Sequence, residues 1–176
     1  MSDSAPLPPS RVYTSPGVPG RPTVSLVIVT LAAIYGVFEI ARAALTGFQN
    51  QIDLLFGIFF IGGGIYGFNK TWTEARDAVV TFDVDRASGK TTVGLWRPFR
   101  PLLIETGLDG VSGWRHFVKL GPRDFRTHII LADLAGYPRP IRFDLPRGKP
   151  APEGLRRVAP GAVAEFEEAT GQGKTE

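Results

Sequence analysis

The sequence predicts a two-helix transmembrane hairpin joined to a small antiparallel β domain that a C-terminal helix closes. Hydrophobic residues make up 43% of the 176 residues, a proportion typical of globular proteins. They are concentrated between residues 24 and 68, where two apolar runs follow each other. From residue 78 onward the pattern changes to alternation of apolar and polar residues, which is typical of strands that bury one face.

The first apolar run covers residues 24–45. A helix of this length, at 1.5 Å per residue, spans a bilayer core of about 30 Å. Its charges, Glu39 and Arg42, are three residues apart and are predicted to form an ion pair near the end of the helix, where an arginine can reach the interface. Residues 41–43 resemble a signal-peptide cleavage site. The length of the run and the second run that follows favour a retained helix.

The second run covers residues 52–68 and extends to residue 72. Gly63 and Gly67 form a GxxxG pair, and Ala32 and Gly36 repeat that spacing in the first helix. Small residues at this spacing allow helices to approach closely in lipid. Two interpretations stay open, since these residues can pack the two helices together or can dock another membrane protein or a second copy of the chain.

The flanking charges predict the orientation. The connector, residues 46–51, carries no basic residue, whereas Arg11 and Arg21 precede the hairpin and Lys70 and Arg76 follow it or lie at its end. The positive-inside rule therefore predicts a multi-pass membrane protein with both termini in the cytoplasm.

The remaining segments complete the predicted organisation. Residues 1–23 are rich in proline, serine and glycine, so a disordered arm is expected, with a polyproline docking segment as the alternative. The hairpin occupies residues 24–72, the β domain residues 75–170, and a disordered tail residues 171–176. Strands are predicted at residues 80–84, 91–97, 114–120, 125–133 and 141–145, and a helix at residues 162–170.

This arrangement resembles bacterial membrane-anchored PH-like domain proteins. The resemblance is carried by the hairpin of residues 79–96, the strand series of residues 114–145 and the helix that ends Val163-Ala164-Glu165-Phe166. It implies a PH-like barrel or sandwich in a protein of the bacterial inner (cytoplasmic) membrane and, by analogy, an assembly factor for a membrane complex. Eukaryotic PH domains have a tryptophan in the closing helix where this chain has Phe166, so no phosphoinositide site is carried over.

The sequence contains no signature of catalysis or of cofactor binding. There is no cysteine, and the two histidines, His116 and His128, are fewer than the ligands of a typical metal site and are expected to be structural. In the segment from Asp83 to Gly89, the fifth position of a calcium loop is occupied by Ala87, the glycine is at the seventh position, and the terminal glutamate is absent. We therefore expect no enzyme activity, no cofactor, no metal, no small-molecule substrate and no nucleic-acid partner.

Charge provides the remaining functional signal. Between Arg86 and Lys149 there are twelve basic and five acidic residues, and Arg115, Lys119, Arg123 and Arg126 form the best candidate patch for contact with lipid or a partner. The preferred hypothesis is a non-enzymatic adaptor, assembly factor or accessory subunit of a larger membrane complex. The alternative is a sensor of anionic lipid headgroups. A channel or transporter fragment would rest on Glu39 and Arg42 alone.

Overall fold

The computed structural model describes residues 10–16, 21–47, 51–120, 126–146 and 149–171. Two compact units are present. One consists of residues 20–76, and the other combines residues 1–19 with residues 77–176.

The first unit is a pair of packed helices, α1 (Arg21–Leu45) and α2 (Gln51–Ala75). Each has 25 residues, and therefore a length of about 37 Å at 1.5 Å per residue. Both are long and apolar enough to cross a membrane. Most of their large apolar side chains are exposed, as expected for a surface that lipid would cover rather than for the interior of a soluble protein.

The second unit contains two antiparallel sheets. The first has the order β1-β2-β3-β4, and the second has the order β5-β6-β7. The strands are β1 (Ser10–Thr14), β2 (Val79–Asp85), β3 (Lys90–Leu95), β4 (Leu102–Gly107), β5 (Val111–Leu120), β6 (Arg126–Leu134) and β7 (Ile141–Asp144). Helices α3 (Glu153–Val158) and α4 (Pro160–Thr170) follow. The layout of a helix pair with a β domain is as predicted, and the described strands do not close into a barrel.

The prediction that the whole N-terminal arm is disordered was wrong. Disorder was expected over residues 1–23, but Ser10–Thr14 is strand β1, which pairs with β2, the first strand after α2 in the sequence. Tyr13 is only 1% exposed. The five residues of β1 are too few to display a period, and a bulge between Arg11 and Tyr13 lets Val12 and Tyr13 both face inward. Residues 21–23 of the predicted arm are the first residues of α1, and residues 1–9 and 17–20 lie outside the described residues.

Aromatic side chains join the two sheets. Phe143 on β7 makes ring contacts with Tyr13 at 5.1 Å, with Trp114 at 5.2 Å and with Phe82 at 5.6 Å. Such edge-to-face and tilted pairs add to the free energy of burial. Leu155 of α3 and Phe166 of α4 are buried in the same core, so the closing helices are part of it.

Candidate functional site

The contact between α1 and α2 is built on glycines. A Cβ added to Gly36 would lie 2.7 Å from the carbonyl oxygen of Gly57, and one added to Gly64 would lie 2.8 Å from the Cβ of Ala33. A Cβ on Gly67 would lie 2.7 Å from Cγ1 of Val29. These distances leave no room for a larger side chain, because the two backbones approach closely.

Two of the four predicted small residues, Gly36 and Gly67, therefore lie in the helix contact. Ala32 is half-buried, and its neighbour Ala33 is the residue that touches Gly64. Gly63 lies outside the contact, since nothing is found within 4 Å of an added Cβ. The GxxxG pattern found part of the contact and missed Gly57 and Gly64, which lie seven residues apart, two turns of the same helix face.

The outer side of α2 carries a notch formed by Gly62 and Gly63. Both glycines are exposed, and apart from the adjacent residues and backbone of α2 itself, no atom of the described residues lies within 4 Å of an added Cβ. Phe59 and Tyr66, about one turn before and after them, are 71% and 70% exposed. Next to the notch is an apolar hollow of about 630 Å³, lined by Ile52, Leu55, Phe56, Ile58 and Phe59.

The predicted ion pair is present in a larger cluster at the turn end of the helix pair. Arg42 Nη2 lies 2.9 Å from Glu39 Oε2 and 2.8 Å from Asp53 Oδ2. Glu39 is only 4% exposed. One arginine thus bridges two carboxylates, one from each helix, and links the end of α1 to the start of α2.

The predicted basic patch is divided in the structure. Arg115 forms a 3.2 Å ion pair with Asp133, which offsets its charge. Lys119 pairs in register with Thr127, whereas Arg126 pairs with Leu120. Because side chains alternate along a strand, Lys119 and Arg126 lie on opposite faces of the sheet. Arg123 lies outside the described residues.

The two histidines form a contact pair on the inner face of the second sheet. His116 Nε2 lies 3.1 Å from His128 Nδ1, and both rings pack edge-on against Phe166 of α4. Burial and the neighbouring His128 lower the pKa of His116, while Glu165 opposes the shift. Within the described ranges, no group of three or more His, Cys, Asp and Glu side chains could hold a metal ion.

A cleft lies between β1 and α3. It could not be predicted from the sequence, because β1 was not predicted. Its volume is about 780 Å³. Two of its three arginines are paired, Arg11 with Asp83 at 3.1 Å and Arg157 with Glu153, and Arg86 is the third. The cleft thus offers cationic side chains together with the hydroxyl of Ser10, which donates a 3.2 Å hydrogen bond to the main-chain carbonyl of Val84.

Comparisons with known proteins add no identification. No protein-family model, curated protein or solved structure matches this chain.

Proposed function

We propose that this chain is a non-enzymatic adaptor of the bacterial inner membrane, either an assembly factor or an accessory subunit. In this proposal α1 and α2 span the bilayer as a hairpin, the β domain has a PH-like fold in the cytoplasm, and α2 binds a larger membrane protein. The four-plus-three arrangement of strands, with α4 packed into the core, supports the PH-like assignment.

The pairing of β1 with β2 supports the hairpin topology. β1 precedes α1 and β2 follows α2, yet Ser10 pairs with Val84 and Thr14 with Thr81 in one sheet. This pairing supports a topology in which the two outer ends of the helix pair lie on the same side of the membrane, because both ends lead into one sheet. An even number of crossings satisfies this condition, and two helices supply it.

The observation that carries the adaptor function is the notch of Gly62 and Gly63. Glycine within a helix costs about 1 kcal/mol relative to alanine. Gly57, Gly64 and Gly67 offset this cost by close packing on α1, but Gly62 and Gly63 have no such contact with any part of the chain that the structure describes. A second helix seated between Phe59 and Tyr66 would use the notch in the same way that α1 uses the other face.

The lipid-sensing alternative has less support. Its patch required Arg115, Lys119, Arg123 and Arg126 to act together, and the register of β5 and β6 separates Lys119 from Arg126. The ion pair of Arg115 with Asp133 further reduces the available positive charge.

The test is affinity purification of the tagged full-length chain from native membranes in mild detergent, followed by mass spectrometry. We expect a stoichiometric membrane protein in the eluate, and its loss when Gly62 and Gly63 are both replaced by leucine. The matched control is Ile34→Leu, an exposed position on α1. The adaptor function is contradicted if the chain elutes alone or only with itself, or if the double variant retains its partner.

A further inference from the structure

The loop between β3 and β4 presents an unusual surface. Phe99 is 95% exposed, and the exposed run continues through Arg100, Pro101, Leu102 and Leu103. An exposed ring of this kind contributes no hydrophobic free energy to the folding of the domain, because Phe99 does not enter the core. Contiguous exposed apolar residues flanked by cations are typical of surfaces that bind something other than water.

The loop begins near the point where the chain enters the β domain from α2. Trp96, at the start of the loop, donates a 2.8 Å main-chain hydrogen bond to the carbonyl of Ala78. Ala78 is only three residues beyond the end of α2 at Ala75, which is at most about 11 Å of chain. The loop therefore begins at the strand end where the polypeptide arrives from the apolar helix.

The end of α2 has the features of a membrane interface. Trp72 stacks on Phe68 in the last turns of the helix, and Lys70 lies between them in sequence. Tryptophan and lysine at the end of an apolar helix are typical of the headgroup region. If α2 spans a bilayer, the short connection from Ala75 to Ala78 keeps the first residue of the loop's hydrogen-bonded strand end within about 11 Å of chain from the end of α2.

The composition of the loop matches that of an interfacial anchor. An aromatic ring and aliphatic side chains enter the boundary between headgroups and acyl chains, while nearby arginines bind anionic phosphates. Arg97 and Arg100 flank Phe99, and Pro98 and Pro101 restrict the backbone on both sides of it. A rigid loop loses little conformational entropy when it binds.

We propose that residues 97–103 form an interfacial anchor that inserts Phe99 into the anionic leaflet and fixes the orientation of the β domain on the membrane. This inference rests on the proposed insertion of α1 and α2 into the bilayer. It assigns a lipid contact to a loop that is separate from the divided patch on β5 and β6.

The test uses single-cysteine variants of the full-length chain, which has no native cysteine. Each is labelled with a polarity-sensitive fluorophore and reconstituted in vesicles of phosphatidylcholine with phosphatidylglycerol, with and without brominated lipids as quenchers. Phe99→Cys reports on the loop, and Leu103→Cys reports on the exposed start of β4 that continues it. Ala87→Cys lies in the turn at the other end of β2 and β3, about 20 Å away along the strand, and is the matched control. Leu31→Cys, an exposed position on α1, reports on insertion of the helices.

We expect brominated lipids to quench the labels at positions 31, 99 and 103 and to leave the label at 87 bright. In the Leu103→Cys background, Phe99→Asp should reduce the quenching. Replacing Arg100 by glutamate should reduce it most in vesicles rich in phosphatidylglycerol. Quenching at 31 with equal, weak quenching at 99, 103 and 87 would overturn the anchor while leaving the hairpin intact. Absence of quenching at 31 would overturn membrane insertion and the anchor together.

Discussion

The hydroxyl of Tyr13 donates a 2.8 Å hydrogen bond to the main-chain carbonyl of Asp144, 131 residues later in the chain. The bond joins β1, which precedes both apolar helices, to β7 near the end of the β domain. Burial raises the pKa of Tyr13 far above its usual value, so the hydroxyl remains a neutral donor at every physiological pH.

This hydrogen bond predicts that two substitutions of Tyr13 lower the free energy of unfolding by different amounts. Tyr13→Phe should lower the free energy of unfolding by about 1–3 kcal/mol, because the carbonyl of Asp144 loses its donor. Tyr13→Ala should cost about 3–5 kcal/mol, because the ring contact with Phe143 is lost as well. Urea titration of the full-length chain in detergent, followed by tryptophan fluorescence, measures both. A Tyr13→Ala variant as stable as the wild type would contradict the placement of β1.

The contact of α3 with β1 gives a second prediction. A methyl group on Gly154 would collide with the carbonyl oxygen of Val12, so Gly154→Ala should destabilise the domain by about 1–3 kcal/mol. Gly161→Ala in α4 is the matched control, since an added Cβ there meets open space, and it should be neutral or slightly stabilising. Thermal denaturation of the two variants side by side distinguishes them. Equal stability would mean that α3 does not pack on β1.

The histidine pair predicts a dependence of stability on pH. The folded-state pKa of His116 is below its unfolded value of about 6.5, chiefly because of burial and then because of His128. The unfolded chain therefore binds more protons just below pH 6.5, and stability should fall as the pH decreases through that value and level off below the folded-state pKa.

Urea midpoints measured across this range test the effect. His116→Gln should flatten the pH profile, because the titrating group is removed, and His128→Gln should flatten it in part. A profile that remains steep in the His116→Gln variant would assign the dependence to other groups.

The ion cluster of α1 and α2 predicts that substitutions of Arg42 and Glu39 have non-additive effects on stability. Arg42→Gln leaves Glu39 and Asp53 without their shared cation and should destabilise the helix pair, because a buried carboxylate without a partner is costly. Adding Glu39→Gln to that variant should recover part of the loss, with a coupling energy of about 0.5–3 kcal/mol. Melting temperatures of the two single variants and the double variant in detergent give this energy. Simple additivity would show that the side chains act independently.

The elements that sequence reasoning predicted are those with a long or regular pattern. α1 and α2 follow from their apolar length, and β2, β3, β5, β6 and β7 from alternation and turn residues. β1 and β4 were missed for a physical reason. β1 has five residues among prolines, and β4 follows Pro98 and Pro101 and has an edge position with exposed Leu102 and Leu103. Their strand conformation depends on pairing with distant partners, which no local window contains.

The candidate sites show the same limit. The ion pair of Glu39 and Arg42 was predictable because its members share one helix, whereas Asp53 joins from the other helix. Charge counting assembled Lys119 and Arg126 into one patch, and only the strand register placed them on opposite faces. The exposure of Phe99 likewise needed the fold, since the sequence alone does not show whether a phenylalanine reaches a core.

The pairing of β1 with β2 also determines when the first sheet can form during synthesis of the protein. β1 leaves the ribosome first and has no sheet to join until both apolar helices and then β2 have been synthesised. If the helices enter the bilayer, a chain inserted with only one crossing would leave β1 and β2 on opposite sides. Such a chain would present β2 as an uncovered edge, a feature that promotes aggregation. Under that insertion, the sheet could be completed only when both helices had crossed the bilayer, so folding of the β domain would depend on correct membrane integration.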